Sequence, residues 1–303
     1  MTVITRRAHE GVDFGTDFRA VRDFLLRINA TTPLASPEFL WGRWEWAFCL
    51  PYLERSHLAG IGIWEAGGQV VGLATHESVL GEAYLAVDPR FRSQLLPELA
   101  DHALAQLHDG AGLGVPVGEE EHDLAAVLAE RGFSPIDRYE ETSVLELADP
   151  PGYRLADGYT LTNFAEGVDL HRFNRCLHRG FDHPEPVPTD DETLYWRGRS
   201  CSAPSLIPEL NTVVVAPDGK YAAYCGIFFD PTTDYLLVEP VCTAPAHRRR
   251  GCGRAAVAEA VTRAAALGAR LAYVGSSQQF YYDLGFVPFH RSQWWHRQVA
   301  GAR

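Results

Sequence analysis

Val238-Glu-Pro-Val-Cys-Thr-Ala-Pro-Ala-His-Arg-Arg-Arg-Gly-Cys-Gly-Arg-Ala-Ala256 is the stretch on which the reading of this chain turns. Residues 235–241 are almost all apolar or β-favouring, the pattern of a buried strand. Pro245 ends that strand, since proline has no N–H to give to a ladder. Gly251 and Gly253 admit backbone conformations closed to residues with a Cβ. The alanine-rich run from Arg254 to Leu267 has strong helix propensity. A strand, a glycine turn and a helix start in this order aim several N–H groups at one point, at the positive end of a helix dipole. Arg248, Arg249 and Arg250 add fixed positive charge. The stretch therefore predicts a phosphate or pyrophosphate cradle.

Gly251-x-Gly253-x-x-Ala256 also fits a dinucleotide fingerprint, which needs its glycines directly after an apolar strand and a carboxylate about 20 residues on. Three arginines precede Gly251, and residues 271–276 (Leu-Ala-Tyr-Val-Gly-Ser) carry no acid. The dinucleotide reading fails on both counts. Arg248-Arg-Arg-Gly-Cys-Gly253 instead resembles the Arg-x-x-Gly-x-Gly signature of the GNAT superfamily of N-acetyltransferases. Thr243-Ala-Pro245 lies where that family has its Val-x-Pro strand end, and Phe280-Tyr-Tyr-Asp-Leu-Gly-Phe286 is similar to its Tyr-x-x-x-Gly-Phe motif.

The chain has 303 residues, enough for two domains, with 46% hydrophobic and 22% charged residues, as in a soluble globular protein. A net charge of −12 argues against a general nucleic-acid role. The segment Met1 to Glu10 lacks the apolar core of a secretory leader, and Glu259, Arg263 and Arg270 interrupt the longest apolar region, so no membrane association is expected. Six cysteines without a C-x-x-C pair suggest a reduced, cytoplasmic protein with no cysteine metal site.

Two similar halves emerge along the chain. Val87-Asp-Pro89 falls on Thr243-Ala-Pro245 at an offset of 156, and Arg131-Gly-Phe133 on Leu284-Gly-Phe286 at an offset of 153. This predicts an internal duplication. In the first half Leu95 and Pro97 replace Gly251 and Gly253, and Leu128 replaces Tyr281. Asp149-Pro-Pro-Gly152 reads as a linker. The expected organisation is two α/β (α+β) GNAT-like domains, each a mixed, mostly antiparallel sheet flanked by helices. Residues 1–148 form a degenerate copy without a cofactor site, residues 149–152 the linker, and residues 153–303 the acyl-CoA-binding, catalytic copy.

Acetyl transfer to an amine requires a base, a holder for the carbonyl oxygen and a proton donor to the leaving thiolate. The resemblance implies that the pantetheine arm runs along the backbone of Val241, Cys242 and Thr243. It implies that Arg248, Arg249, Arg250, Gly251, Cys252, Gly253 and Arg254 hold the pyrophosphate. Glu239 stands where the family carries a general base, and it is also a lone carboxylate in an apolar run, where burial raises a pKa. Tyr281 stands where the family's tyrosine donates to the CoA sulfur, with Tyr282 as its rival. Ser276 lies where the family often has a pantetheine-binding asparagine. Cys242 and Cys252 flank the site, but direct transfer is the family's usual chemistry, and buried cysteines are mostly packing. Five carboxylates between Phe181 and Glu192, in the region that covers the acceptor in this family, suit a cationic amine.

The expected activity is N-acetylation of a small-molecule amine by direct attack on acetyl-CoA, without metal or nucleic acid, by a monomer or homodimer. A protein or peptide acetyltransferase, a mycothiol-synthase-like enzyme and a non-catalytic acyl-CoA sensor are the alternatives.

Overall fold

The computed structural model describes residues 3–30 and 34–299. The starts of the N-terminal segment (residues 1 and 2) and of an aromatic-rich stretch (residue 33) lie outside them. In chain order the strands and helices of the first half are β1 (Ile4–Ala8), α1 (Thr16–Ile28), α2 (Trp41–Phe48), β2 (Gly62–Ala66), β3 (Gln69–Thr75), β4 (Tyr84–Val87), α3 (Arg92–Gln106), β5 (Gly112–Gly118), α4 (His122–Glu130) and β6 (Ser134–Glu146). They continue as β7 (Thr160–Asn163), α5 (Leu170–Gly180), α6 (Asp191–Ser200), β8 (Thr212–Val215), β9 (Tyr221–Phe229), β10 (Tyr235–Thr243), α7 (Cys252–Ala266), β11 (Leu271–Val274), α8 (Gln279–Tyr282) and β12 (Val287–Gln298).

The chain forms two compact units. The first comprises Met1–Phe48, Tyr52–Thr142 and Phe289–Arg303; the second comprises Cys49–Pro51 and Ser143–Pro288. This division differs from a simple break at residues 149–152, because most of β12 belongs to the first unit and the end of β6 to the second. In the first unit β12 pairs antiparallel with β5, Ser292 opposite Gly118 and Gln298 opposite Gly112. In the second, the end of β6 pairs antiparallel with β11, Ser143 opposite Val274 and Glu146 opposite Leu271. A linker is marked by local turn chemistry, whereas a strand's partner is set by long-range pairing that local composition does not encode.

The first unit holds the antiparallel sheet β1-β2-β3-β4 and the β5–β12 pair. Its strand β5 (Gly-Leu-Gly-Val-Pro-Val-Gly) has no strand-like composition, and its glycines are explained across the pair. A Cβ on Gly112 would lie 2.5 Å from the His296 ring, one on Gly114 3.0 Å from the Trp294 ring, and one on Gly118 2.7 Å from the His290 ring. Large side chains of β12 occupy the room that β5 leaves. The aromatic stretch after residue 33 contributes α2, whose Trp44 and Phe48 pack against Phe18 of α1 as core, the packing role that its composition suggests.

The second unit is a sheet in the order β6-β11-β10-β9-β8-β7. Helix α7 packs on one face, where Ala255, Ala256, Ala260 and Ala264 are fully buried with Ala222, Cys225 and Ile227 of β9. Small side chains let this helix sit close to the strands. Helix α5 covers the other face through Phe173, Cys176 and Leu177 against Val213, Tyr224 and Cys242.

The duplication is visible in matching local geometry. In each unit a short 3-10 turn follows a strand, Pro89–Phe91 after β4 and Pro245–His247 after β10. A 15-residue helix then follows in both. Phe133 N–H bonds Leu128 O at 3.1 Å, and Phe286 N–H bonds Tyr281 O at 3.1 Å. Gly132 and Gly285, at φ +78° and +98°, make the same turn at both places.

Candidate active site

The site grows out of strand β10. Its first residues pair in parallel with β11, but only over Tyr235–Leu237 opposite Leu271–Tyr273. On the other side β10 pairs antiparallel with β9, and that ladder shifts register between Val238 and Val241, around Glu239 and the cis-linked Pro240. Gly226 makes room for the bulge, since a Cβ there would lie 2.6 Å from Glu239 O. After the bulge Val241–Thr243 rejoins β9 and has left β11. Ala244 N–H donates to Ala222 O at 2.9 Å. By the alternation of an antiparallel ladder, Cys242 N–H also faces β9, and those of Val241 and Thr243 face the gap on the β11 side. Sequence pattern alone marks the strand but not this divergence.

A cleft of about 1020 Å³ opens at this gap, lined by Val241–Thr243, Arg248, Arg249, Gly251–Arg254, Phe280 and Tyr281. Two consecutive features build its positive end. Arg249 and Gly251 take left-handed backbone conformations, φ +59° and +76°, the arrangement that turns successive N–H groups toward one point. The first helical bond of α7 runs from Ala255 N–H to Gly251 O at 2.9 Å. The N–H groups of Cys252, Gly253 and Arg254 therefore lie in the unpaired first turn. Arg249 and Arg250 are exposed, and among the described residues they make no hydrogen bond or ion pair.

The two glycines serve different ends. Gly251 supplies the left-handed turn, and a Cβ there would also press on Arg154 O at 3.1 Å. Gly253 is helical; a Cβ on it would lie 2.8 Å from Thr243 Oγ1, so it allows α7 to close on β10. Arg248 is committed within the protein. Its guanidinium bonds Thr243 O and Gly180 O at 3.1 Å and pairs with Asp182 at 2.9 Å. Arg254 likewise bonds Gly152 O at 2.9 Å and Asp283 O at 2.8 Å. These two arginines brace the turn, while Arg249, in the cleft wall, and Arg250, outside its lining, make no such bonds.

Tyr281 lines the cleft and Tyr282 does not. The Tyr281 ring packs edge-on against Phe280 and Phe286, and its hydroxyl makes no hydrogen bond among the described residues. Burial pushes this phenol well above the usual tyrosine range, and nearby Cys225, Glu239 and Cys242 add to the effect. It is thus held protonated. Glu239 is half-buried beside the bulge and close enough to act on Tyr281 electrostatically, but it does not line the cleft itself. Ser276 is also outside the cleft lining: its carbonyl accepts from Ser143 Oγ at 2.8 Å and its Oγ from Gln278 N–H at 3.2 Å. It fixes a turn.

Both cysteines at the site are poor nucleophiles. Cys242 Sγ lies 3.8 Å from Cys176 Sγ and 3.6 Å from Cys176 O, engaged with α5. Burial raises the Cys252 thiol, which disfavours its thiolate. Three of the five carboxylates between 181 and 192 are engaged within the protein: Asp182 pairs with Arg248, Glu185 with Arg179, and Asp190 caps α6 at Thr193 N–H, while Asp191 and Glu192 are exposed in the first turn of α6. Charge count in the sequence does not reveal these local pairings. It also gives no sign that Phe280 and Gly180 contribute to the cleft wall.

Residues 170–286 match the acetyltransferase (GNAT) family. The second unit carries a GNAT acetyltransferase domain. No curated protein matches the chain. The fold over nearly the whole length is that of solved GNAT proteins. One is a GCN5-related N-acetyltransferase from Sphaerobacter thermophilus, with TM-score 0.60 and 19% identity, covering 98% of this chain and 96% of that one. A tandem GNAT protein from the clavulanic acid biosynthesis pathway has TM-score 0.60 and 15% identity, covering 99% of this chain and 100% of that one. A GCN5-related N-acetyltransferase from Kribbella flavida has TM-score 0.52 and 20% identity over 95% and 97%. In the GNAT domain the cleft, the glycine turn and Tyr281 all fall within the matched residues.

The first unit has closed the equivalent turn with its own charges. Asp88 accepts from Arg90 N–H and pairs with Arg90 and Arg27 at 2.7 Å. Arg92, which aligns with Arg248, is held by Glu121 and Asp123 at 2.7 Å. Leu95, aligned with Gly251, is fully buried against Gly72. At the aligned positions the first unit thus has an ion-paired Arg92 for Arg248 and a buried leucine for Gly251.

Proposed function

We propose that the GNAT domain transfers an acetyl group from acetyl-CoA to the amine of a small molecule by direct attack. The observation that carries this reading is the cleft where β10 leaves β11, with an anion cradle at one end and the unpartnered Tyr281 hydroxyl in its wall. The residues fit a CoA: left-handed Arg249 and Gly251, free Arg249 and Arg250 side chains, and the N–H groups of the first turn of α7 suit its pyrophosphate. When bound, the thioester supplies an activated acetyl group.

The protein's own groups then have distinct tasks. The N–H groups of Val241 and Thr243, facing the gap, can hold a carbonyl oxygen. Glu239, at the bulge, takes the ammonium proton of the acceptor, and its distance from the cleft lining favours relay through water. Tyr281, protonated at neutral pH, donates to the departing sulfur. The engaged Cys242 and the raised Cys252 thiol favour direct transfer over an acyl-cysteine.

A small acceptor is favoured over a peptide by the segment after α5. Asn174 Nδ2 bonds Pro188 O at 2.7 Å, and Arg197 Nε bonds Asn174 Oδ1 at 3.2 Å. These contacts fold the segment onto α5 instead of leaving an open groove there. Asp182, Glu185 and Asp190 are engaged within the protein, so these three do not select for an extra positive charge on the acceptor. A panel of small amines and peptides, scored by free-thiol release from acetyl-CoA, tests the reading. Turnover of small amines is expected, and turnover of peptides alone would overturn it.

A further inference from the structure

A second cavity, of about 650 Å³, lies in the second unit between α5, the turn Asp218–Tyr221 and the segment Ala244–His247. That volume is ordinary for a small-molecule pocket. Helix α5 contains three arginines, two histidines and no carboxylate within its eleven residues, in a chain of net charge −12. Its apolar side is buried by Phe173, Cys176 and Leu177, so the cationic residues gather on the outer face. His171, Arg175 and Arg179 lie at four-residue intervals and form one stripe along the cavity.

Most of the charge at this cavity is already matched. Arg179 pairs with Glu185 at 2.8 Å, Lys220 with Asp218 at 2.6 Å, and Arg172 with Asp169 at 3.2 Å. Asp182, also at the wall, is held by Arg248. Arg175 is different: among the described residues its guanidinium makes no hydrogen bond or ion pair. Between these charged groups and His171, His183 and His247, part of the wall is apolar, from Cys176, Tyr221, Ala244 and Pro245. One free guanidinium beside an apolar part of the wall suits a ligand with a single anionic head and an apolar body.

We propose that this cavity binds a small amphipathic anion, a carboxylate or phosphate monoester on an apolar body, with Arg175 as the anchor of its head. The site is separate from the arginine-turn cradle but shares Asp182 and His247 with its wall. A bound anion therefore touches the segment that braces Arg248.

Phenyl phosphate and benzoate serve as probes, with benzylamine as the cationic control, titrated calorimetrically into the full chain in the presence of saturating CoA, added to occupy the phosphate-binding cradle. One binding event is expected for the anions, and none for benzylamine. Arg175→Ala should weaken that event by roughly 10-fold or more, the loss of a charge-assisted contact. Arg250→Ala, in the cradle, should leave it unchanged. Arg175 is exposed and unpaired, so unfolding by its replacement is not expected, and a thermal melt of the variant checks this. Absence of anion binding, equal binding of benzylamine, survival of the event in Arg175→Ala, or its loss in Arg250→Ala would each overturn the proposal.

Discussion

At the scale of single residues, the site depends on groups whose partners are withheld. Tyr281 keeps a protonated hydroxyl because burial raises it and no neighbour takes its hydrogen bond. Tyr281→Phe is therefore expected to lower kcat by about 10²-fold or more while acetyl-CoA binding is retained. Tyr282→Phe should leave kcat within a few-fold of the parent. Steady-state kinetics beside a binding titration check both, and the reverse pattern would show that the sequence register was misassigned. The adjacent tyrosines could be ranked in advance from the Tyr-x-x-x-Gly-Phe spacing, because that spacing encodes a local turn closed by Gly285. The bracing roles of Arg248 and Arg254 were not legible, because each depends on a carbonyl or carboxylate far away in the chain.

Elements meet at two glycines, and each makes a distinct prediction. Gly253 lets α7 approach β10 at Thr243. Gly253→Ala should destabilise the protein by about 1–3 kcal/mol through overpacking and diminish the rise in melting temperature that acetyl-CoA produces. Adding Thr243→Ala, which removes the clashing oxygen, should restore part of both, and a double-mutant cycle by denaturant melts measures the coupling. Strict additivity would mean that the contact is not the cause. Gly226 faces the bulge of β10, and Gly226→Ala should cost stability by a similar amount, because the obstacle is the backbone oxygen of Glu239, which cannot rotate away. Helix α7, the glycine turn and the buried strand were plain from composition and periodicity. The divergence of β10 from β11 was not, since it is a property of pairing between strands.

For the whole molecule, the exchange of last strands sets what each unit needs. Strand β12 supplies Trp294, fully buried, and His290 and Ser292 to the first unit, where Glu38 bonds His290 at 2.6 Å and Ser292 at 3.1 Å. Deleting residues 289–303 should therefore unfold the first unit, leaving β5 without its partner; hydrogen exchange resolved by segment would locate the loss. His290 also gives a pH signature. Its folded pKa is raised; burial alone would lower it, but the bond and charge of Glu38, aided by Glu121 and Glu119, outweigh this. A histidine raised on folding stabilises fully below its unfolded pKa of about 6.5, and that stability fades as pH rises through the folded value. The destabilisation caused by His290→Ala should accordingly be larger at pH 6 than at pH 8 in urea melts. A pH-independent difference would rule out the charged pair.

The sequence by itself determined the parts whose causes are local. The buried strand, the glycine turn with its arginines, the alanine-rich helix and the repeat of all three follow from periodicity, propensity and the conformational freedom of Gly251. Tertiary structure decided the rest: which arginines are engaged in bracing the turn and which are not, where β10 opens a cleft, and which last strand completes which unit. It also engaged three of a run of five carboxylates, Asp182 and Glu185 in ion pairs and Asp190 in a cap. The physical reason is common to these cases. A hydrogen bond, an ion pair or a ladder is fixed by the partner that the fold brings within about 3 Å, and a side chain's sequence neighbours do not specify that partner.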